Sequence, residues 1–320
     1  MKTSFLTNIG EKIFRKSIVS HIKKVGNHWN AMYSSAKKKE LKAWWDSEFT
    51  VRHINRLVFD IDSPILSEGL NQLLIKRLDG RRLKTGISVG CGLATKEIRL
   101  LELGIVEKFI LFELSEEAIR IGSENAKKSN VIDRVEFRNE DAFQFDYSHS
   151  KIDLVHWNNS LHHMFDVPRA VQWSYEILIP GGVFYMDDYV GSNRFQWPQN
   201  IVDIVNEVRG SLPHKYLKKR IPLVVDRIID YIKPHILQII DPSEAVDSEK
   251  ILTSVRSYFP KAEIILTGGI VYFIALEGMW RNFNEKEEDL SLLTRLLEKD
   301  KFYTQSPDIM SPYAVALAIK

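Results

Sequence analysis

Between Leu83 and Asp188 the chain alternates short apolar runs with amphipathic segments, and the first apolar run ends in Gly90-Cys91-Gly92. "TGISVG" (85–90), "KFILFEL" (108–114), "RVEFRN" (134–139), "KIDLVHWN" (151–158) and "GGVFYMDD" (181–188) read as strands. "TKEIRLLEL" (95–103), "SEEAIRIGSENAKKS" (115–129) and "VPRAVQWSYEIL" (167–178) read as helices; the second has Ser115 as N-cap and glutamates in its first turn. Strands joined through helices run parallel, and parallel sheets are covered on both faces. Such sheets bind ligands at the carboxyl ends of their strands, where the strand order reverses.

The flanks are expected to be helical. Residues 1–82 show no period-2 alternation and read as an N-terminal helical cap. Residues 83–280 form the α/β core, interrupted at about 190–260 by a helical insertion, and 281–320 read as helices packing on that core. "AEIILTGGIVYFIALEGM" (262–279) reads as two strands joined at "TGG", hence an antiparallel hairpin. Phe5, Ile9, Ile13, Phe14, Ile18 and Ile22 recur at helical spacing among lysines and an arginine. That helix is expected to pack on the protein's own body; contact with an anionic membrane surface is the lesser alternative.

Composition narrows the partners. A net charge of +2 gives no basic field for nucleic acid. The single cysteine, Cys91, excludes an internal disulfide and any cysteine-based zinc or iron–sulfur cluster, which fits a reducing, cytoplasmic setting. No metal centre is expected. No apolar stretch reaches the roughly 20 residues that span a bilayer. The oligomeric state is not encoded in any pattern of the sequence.

The glycine turn decides the ligand class. Gly90 lets the chain turn, and Gly92 admits close approach of a ligand to the backbone. A dinucleotide site calls for a third glycine where Thr95 stands, and no Gly-Lys-Ser/Thr follows for a P-loop. Glu113 ends the second strand, where a carboxylate can accept from both hydroxyls of a ribose. Asp141 follows the third strand, where it can accept from an adenine amino group while Ala142 offers its N–H.

"SVGCGLA" (88–94), "LFELS" (111–115), "NEDAF" (139–143), "DLVHWNNSLHHM" (153–164) and "ILIPGGVFYMDD" (177–188) stand in an order and spacing that resembles the class I S-adenosylmethionine-dependent methyltransferases. The resemblance covers about 85–190. It implies a Rossmann-like, seven-stranded, mostly parallel sheet with a final antiparallel hairpin, and S-adenosyl-L-methionine as cofactor. It places Gly90, Cys91 and Gly92 at the methionine part, Glu113 and Leu114 at the ribose, Asp141 and Ala142 at the adenine, and Asn158 at the amino-acid end or the methyl group. Two positions depart from the family pattern: Ser88 stands where an acidic residue is common, and Ala94 where a third glycine is common.

The expected reaction is methyl transfer to an oxygen, less readily a nitrogen, of a small-molecule or sugar-type metabolite. A hydroxyl acceptor benefits from a general base, and His162 and His163 follow the fourth strand. Side chains at adjacent helical positions point about 100° apart, so one of the two is expected to face the cleft. Asp187 and Asp188 end the fifth strand on opposite faces, and one of them is expected to orient the base or the substrate. Tyr189, Arg194, Phe195 and Trp197 are candidates for a substrate wall, and the segment holding Trp44, Trp45, Arg52 and His53 for a lid. Asn158-Asn159-Ser160-Leu161 lacks the Pro-Pro-aromatic pattern of amide and nucleobase methyltransferases. An RNA or protein methyltransferase, or a cofactor binder without catalysis, are the rival readings.

Overall fold

The structure is a computed structural model and describes residues 23–34, 43–148, 150–217, 241–284 and 286–320. Residues 1–22, including the amphipathic N-terminal pattern, lie outside the described residues, as does 218–240 of the expected insertion.

Seven strands form one sheet: β1 (Leu83–Val89), β2 (Val106–Phe112), β3 (Val135–Arg138), β4 (Ile152–Asn158), β5 (Leu178–Tyr189), β6 (Glu263–Gly268) and β7 (Tyr313–Ile319). Their order is β3-β2-β1-β4-β5-β7-β6, and only β7 runs antiparallel to its neighbours. The order reverses between β1 and β4, so the carboxyl ends of those two strands open the cleft where a ligand is expected.

Strand alternation divides the burial. Ile87, Val89, Ile110, Phe112, Val155 and Phe184 pack on one face, under α6 (Val167–Ile177) and a helix at Ile251–Tyr258. Leu83, Phe109, Leu111, Leu154, Val183 and Tyr185 pack on the other, under α3 (Glu68–Leu78), α4 (Thr95–Glu102) and α5 (Glu116–Lys128). A third apolar cluster lies beyond the β5–β7 end of the sheet. It joins α7 (Gln199–Ser211), the segment Ile270–Ala275 and the helix Glu287–Thr304 with Trp44, Tyr189 and Tyr313. The N-terminal region is helical in its described parts: α1 (23–34), α2 (Glu48–Phe59) and α3. The last two helices of the chain are α8 (Ile251–Tyr258) and α9 (Glu287–Thr304).

The seven-stranded sheet with an antiparallel final pair is as the sequence implied, but its last arm is not. β6 turns at Gly269 (φ 115°) into a π-helical segment, Ile270–Ala275, and β7 comes from the end of the chain, a region read as helices. "IVYFIA" is apolar throughout, and a run buried on all sides carries no period that separates strand from helix. The buried Asp300 of α9 settles it. Its carboxylate accepts the N–H groups of Gly269 (3.0 Å) and Val271 (2.6 Å) and so opens the helical turn. A Cβ at Gly268 would stand 1.9 Å from Asp300 Oδ2, so only glycine allows this approach. Within the expected insertion, α8 packs against α6 on the flank of the sheet.

Candidate functional site

The glycine turn is built from backbone conformations that favour glycine. Gly90 has φ 67° and Gly92 φ 53°, and the non-glycine Ala94 follows at φ 55°. The N–H groups of Gly90 and Cys91 both donate to Phe112 O, which ties the turn to the end of β2. Glu113 then reaches back: Oε2 accepts from Gly92 N–H at 2.8 Å and Oε1 from Ser115 N–H at 2.8 Å. Burial raises the pKa of this carboxyl against those hydrogen bonds. Burial, reinforced by Glu113, likewise raises the Cys91 thiol, so it stays protonated. Asp141 accepts from Phe143 N–H at 3.0 Å and opens the short turn Ala142–Gln144, whose Ala142 is buried.

Two buried polar atoms at the head of β4 have no partner: Asn158 Nδ2 and Ser160 Oγ. Ser160 faces Gly90, where an added Cβ would lie 3.0 Å from Ser160 Cβ. Unpaired buried polar atoms cost free energy and point to a polar ligand. Ser160 carried no signal in the sequence beyond its place after Asn158. The departure at Ser88 also acquires a partner: Ser88 Oγ donates to Glu97 Oε1 at 2.6 Å, and His156 Nδ1 lies 2.9 Å from the same oxygen. Burial pushes Glu97 up, but His156 and Ser88 outweigh it and the pKa falls below the ordinary value. A buried carboxylate thus stands beneath the turn, supplied by α4 instead of β1.

A second polar group gathers around the two histidines. His162 Nδ1 lies 2.5 Å from Asp188 Oδ1, while Asp188 Oδ2 accepts the N–H groups of Ser160 (2.9 Å) and Leu161 (2.8 Å). His162 Nε2 lies 3.4 Å from Glu244 Oε1, and His163 Nδ1 lies 3.0 Å from Ser243 Oγ. Only one ring was expected to face the cleft. Both instead join one cluster, with centroids 4.1 Å apart, because a 3-10 turn carries them and each finds a partner there. Burial disfavours charge on His162, but Asp188 and Glu244 outweigh it and push its pKa up to about 10. Burial and the charge of His162 hold His163 well below the usual imidazole value. Glu244 is pulled down to about 2 by His162 despite its burial. Among the described residues, His162, His163 and Glu244 are the one set of three such groups with ligand-type atoms within 4.8 Å of one another. Asp188 closes this cluster through its contact with His162.

Asp187 and Asp188 diverge as strand alternation requires. Asp187 Oδ2 accepts from Ser67 Oγ at 2.7 Å, and Lys96 Nζ donates to that hydroxyl at 3.0 Å. Asp188 is therefore the aspartate brought to the histidines, and Asp187 is not.

The cover over the cleft comes from α1. Asn30 Oδ1 accepts from Ser115 Oγ (2.8 Å) and Glu117 N–H (3.2 Å), which secures the N-terminus of α5. A Cβ at Gly26 would lie 3.0 Å from Leu114 O, and one at Gly92 would lie 3.0 Å from the Tyr33 hydroxyl. Beyond β4, the Trp29 ring meets His163 edge-on at 5.4 Å, and His28 Nε2 lies 3.6 Å from Asp241 Oδ2. The residues expected as a lid lie elsewhere. Trp44 packs on Tyr272 and Tyr313, Arg52 pairs with Glu48 and Asp62, and burial depresses His53 to about 4. Of the expected substrate wall, Tyr189, Phe195 and Trp197 belong to the third apolar cluster, while Arg194 grips the 241–245 loop.

Comparison with known proteins agrees with this geometry. A family model described as a methyltransferase domain matches residues 82–285, well over half of the chain. The chain belongs to this family of S-adenosylmethionine-dependent methyltransferases. It is 28% identical over 135 residues to 27-O-demethylrifamycin SV methyltransferase of Amycolatopsis mediterranei, covering 41% of this chain and 49% of that protein. It is 28% identical over 104 residues to erythromycin 3''-O-methyltransferase of Saccharopolyspora erythraea, covering 32% of this chain and 34% of that protein. The chain thus spans half or less of the length of these curated relatives. Geranyl diphosphate C-methyltransferase from Streptomyces coelicolor A3(2) superposes with a TM-score of 0.50 over 93% of this chain and 97% of its own, at 11% identity, a likeness of fold alone.

Proposed function

We propose that this member of the methyltransferase family methylates a hydroxyl oxygen of a small molecule. The observation that carries the reading is the His162–Asp188 contact of 2.5 Å, with the tilted His163 ring beside it, directly beyond the strand that ends at Asn158. A buried imidazole pair held by a carboxylate is suited to accept the proton that a hydroxyl loses on methylation. Nucleophilic carbons and amines have less need of it. The two curated relatives are named as O-methyltransferases, which favours the same acceptor class.

The residues present fit S-adenosylmethionine. Gly90 and Gly92 present bare backbone at the end of β1, Glu113 offers two carboxylate oxygens at the end of β2, and Asp141 with Ala142 follows β3, where the adenine is proposed to lie. Asn158 Nδ2 and Ser160 Oγ are polar and unpartnered at the amino-acid end. When bound, the cofactor supplies a methyl group on a sulfonium. The chain then holds the acceptor in line, excludes water with α1, and receives the proton. In the present arrangement His163 is the neutral ring and takes that proton, while His162, anchored by Asp188, holds its place. General-base removal costs about 10²–10⁴-fold in rate. The domain roles proposed are a cap through residue 82, a methyltransferase core, and a C-terminal segment completing it.

The test is transfer of an isotope-labelled methyl group from S-adenosylmethionine to a panel of hydroxylated macrolactones, ansamycin-type lactams and deoxysugar glycosides, with amine analogues alongside. Label on oxygen is expected, with His163→Ala slowed by about 10²–10⁴-fold and S-adenosylhomocysteine affinity retained. Label on nitrogen, or transfer indifferent to His162→Ala and His163→Ala alike, rejects the reading.

A further inference from the structure

The base assignment leaves one question open: two adjacent imidazoles compete for the same proton, and something must decide between them. The loop at 241–245 faces both. Asp241 lies near His28, Ser243 touches His163, and Glu244 touches His162. Arg194 pins this loop from the segment after β5. Its backbone N–H donates to Ala245 O at 2.6 Å, Nη1 to Glu244 O at 3.0 Å and Nη2 to Pro242 O at 2.9 Å. Arg194 (φ 53°) and Ala245 (φ 47°) both sit in the left-handed region, which non-glycine residues occupy at a cost and only where surroundings enforce it.

A neutral imidazole donates through one nitrogen only. His162 has a carboxylate oxygen at each, Asp188 at Nδ1 and Glu244 at Nε2, so both nitrogens donate and the ring carries the charge. His163 has a hydroxyl at Nδ1 instead, and a second imidazolium beside the first would be repelled. The other groups facing the pair are Asp241, His28, the Tyr189 ring 6.0 Å from His162, and Trp29. None of them touches His162 with a second anion.

We propose that Glu244, presented by the loop that Arg194 pins, is a positioning residue of the acid–base pair: it decides which imidazole carries the resident proton, and therefore which is free to take the acceptor's. This rests on the role proposed for the histidine pair. Without Glu244, Nε2 of His162 becomes an unprotonated lone pair, and the base moves from one ring to the other.

The test needs no acceptor. The full chain, labelled with ¹³C-histidine, is titrated by NMR, with His162→Asn and His163→Asn assigning the two signals. In the parent protein the His162 ring should stay protonated far into the alkaline range while His163 stays neutral. Glu244→Gln, close to isosteric, should lower the His162 midpoint by about one unit or more. Glu244→Asp should keep most of the shift. Arg194→Met should move His162 in the same direction as Glu244→Gln, and Arg194→Lys less so, which also covers the case that the methionine variant fails to fold. A His162 midpoint unmoved in Glu244→Gln overturns the proposal, as does a His163 that carries the resident proton in the parent. Failure of the base reading would show separately, as methyl transfer indifferent to His163→Ala while the NMR shifts persist.

Discussion

Glu113 ties the glycine turn to the start of α5. Its two oxygens accept from Gly92 and Ser115, so the carboxylate already holds the glycine turn against α5. A ribose would compete for the same oxygens. Glu113→Ala removes both functions, and S-adenosylhomocysteine should bind more weakly by about 1.5–3 kcal/mol, the usual worth of hydrogen bonds to a charged group. Isothermal calorimetry checks this; an unchanged affinity would place the ribose elsewhere. Asp188 is the sharper case. It joins the His162 ring to two backbone N–H groups of the loop after β4, and it is fully buried. Asp188→Asn breaks a buried charged pair and should destabilise the fold by about 3–5 kcal/mol, read from urea unfolding at neutral pH. A loss below about 1 kcal/mol, the range of exposed pairs, would show that the pair is not a buried clamp.

At the scale of elements, Asp300 decides whether the chain after β6 is strand or helix. Burial pushes its pKa up to about 6 against the N–H bonds from Val271 and Gly269. The folded state therefore holds this proton more tightly than the unfolded chain does. Its contribution is full below the unfolded value, near 3.9, and is lost as pH rises through about 6. Asp300→Asn does not titrate, so parent stability relative to that variant should fall by roughly 2–3 kcal/mol between about pH 4 and pH 7. A relative stability that is flat, or rises with pH, contradicts the shift. Helix α1 is the second decisive element. Its partners are Leu114, Ser115 and Glu117 at the end of β2 and the start of α5, and His163 and Asp241 beyond β4. A chain beginning at residue 43 should keep its sheet yet release S-adenosylhomocysteine faster, seen by stopped flow. An unchanged off-rate would mean that α1 does not cover the cofactor.

For the whole molecule, cap and core share buried surface. Leu70, Leu73, Leu74 and Leu78 of α3 close one face of the sheet, and Trp44 packs against Tyr313 of β7. A chain starting at Leu83 would expose that face to water, at about 25 cal/mol for each Å² of apolar surface. It is expected to aggregate or stay unfolded, whereas a chain starting at residue 43 folds. A soluble, cooperatively melting 83–320 fragment would show that α3 is dispensable. In the intact protein, S-adenosylhomocysteine should raise the melting temperature by mass action, while NAD should not.

The sequence by itself determined strands β1–β5 and the glycine turn at the end of β1. Apolar runs, N-caps and a glycine turn are local signals, each set by the backbone within a few residues, so Gly90, Gly92, Glu113, Asp141 and Asn158 could be placed in order along one edge. The cluster around the histidines depended on contacts that local pattern does not encode. Asp188 rather than Asp187 meets His162, because strand register aims alternate residues at opposite faces. Glu244 meets His162 from a loop dozens of residues away that Arg194 holds, and α1 reaches His163 although the tryptophan pair further along offered more apolar surface. The last strand was hidden for the same reason. "YAVALAI" and "IVYFIA" are equally apolar, and only a buried carboxylate on α9 makes the second helical and leaves the first to pair with β5 and β6.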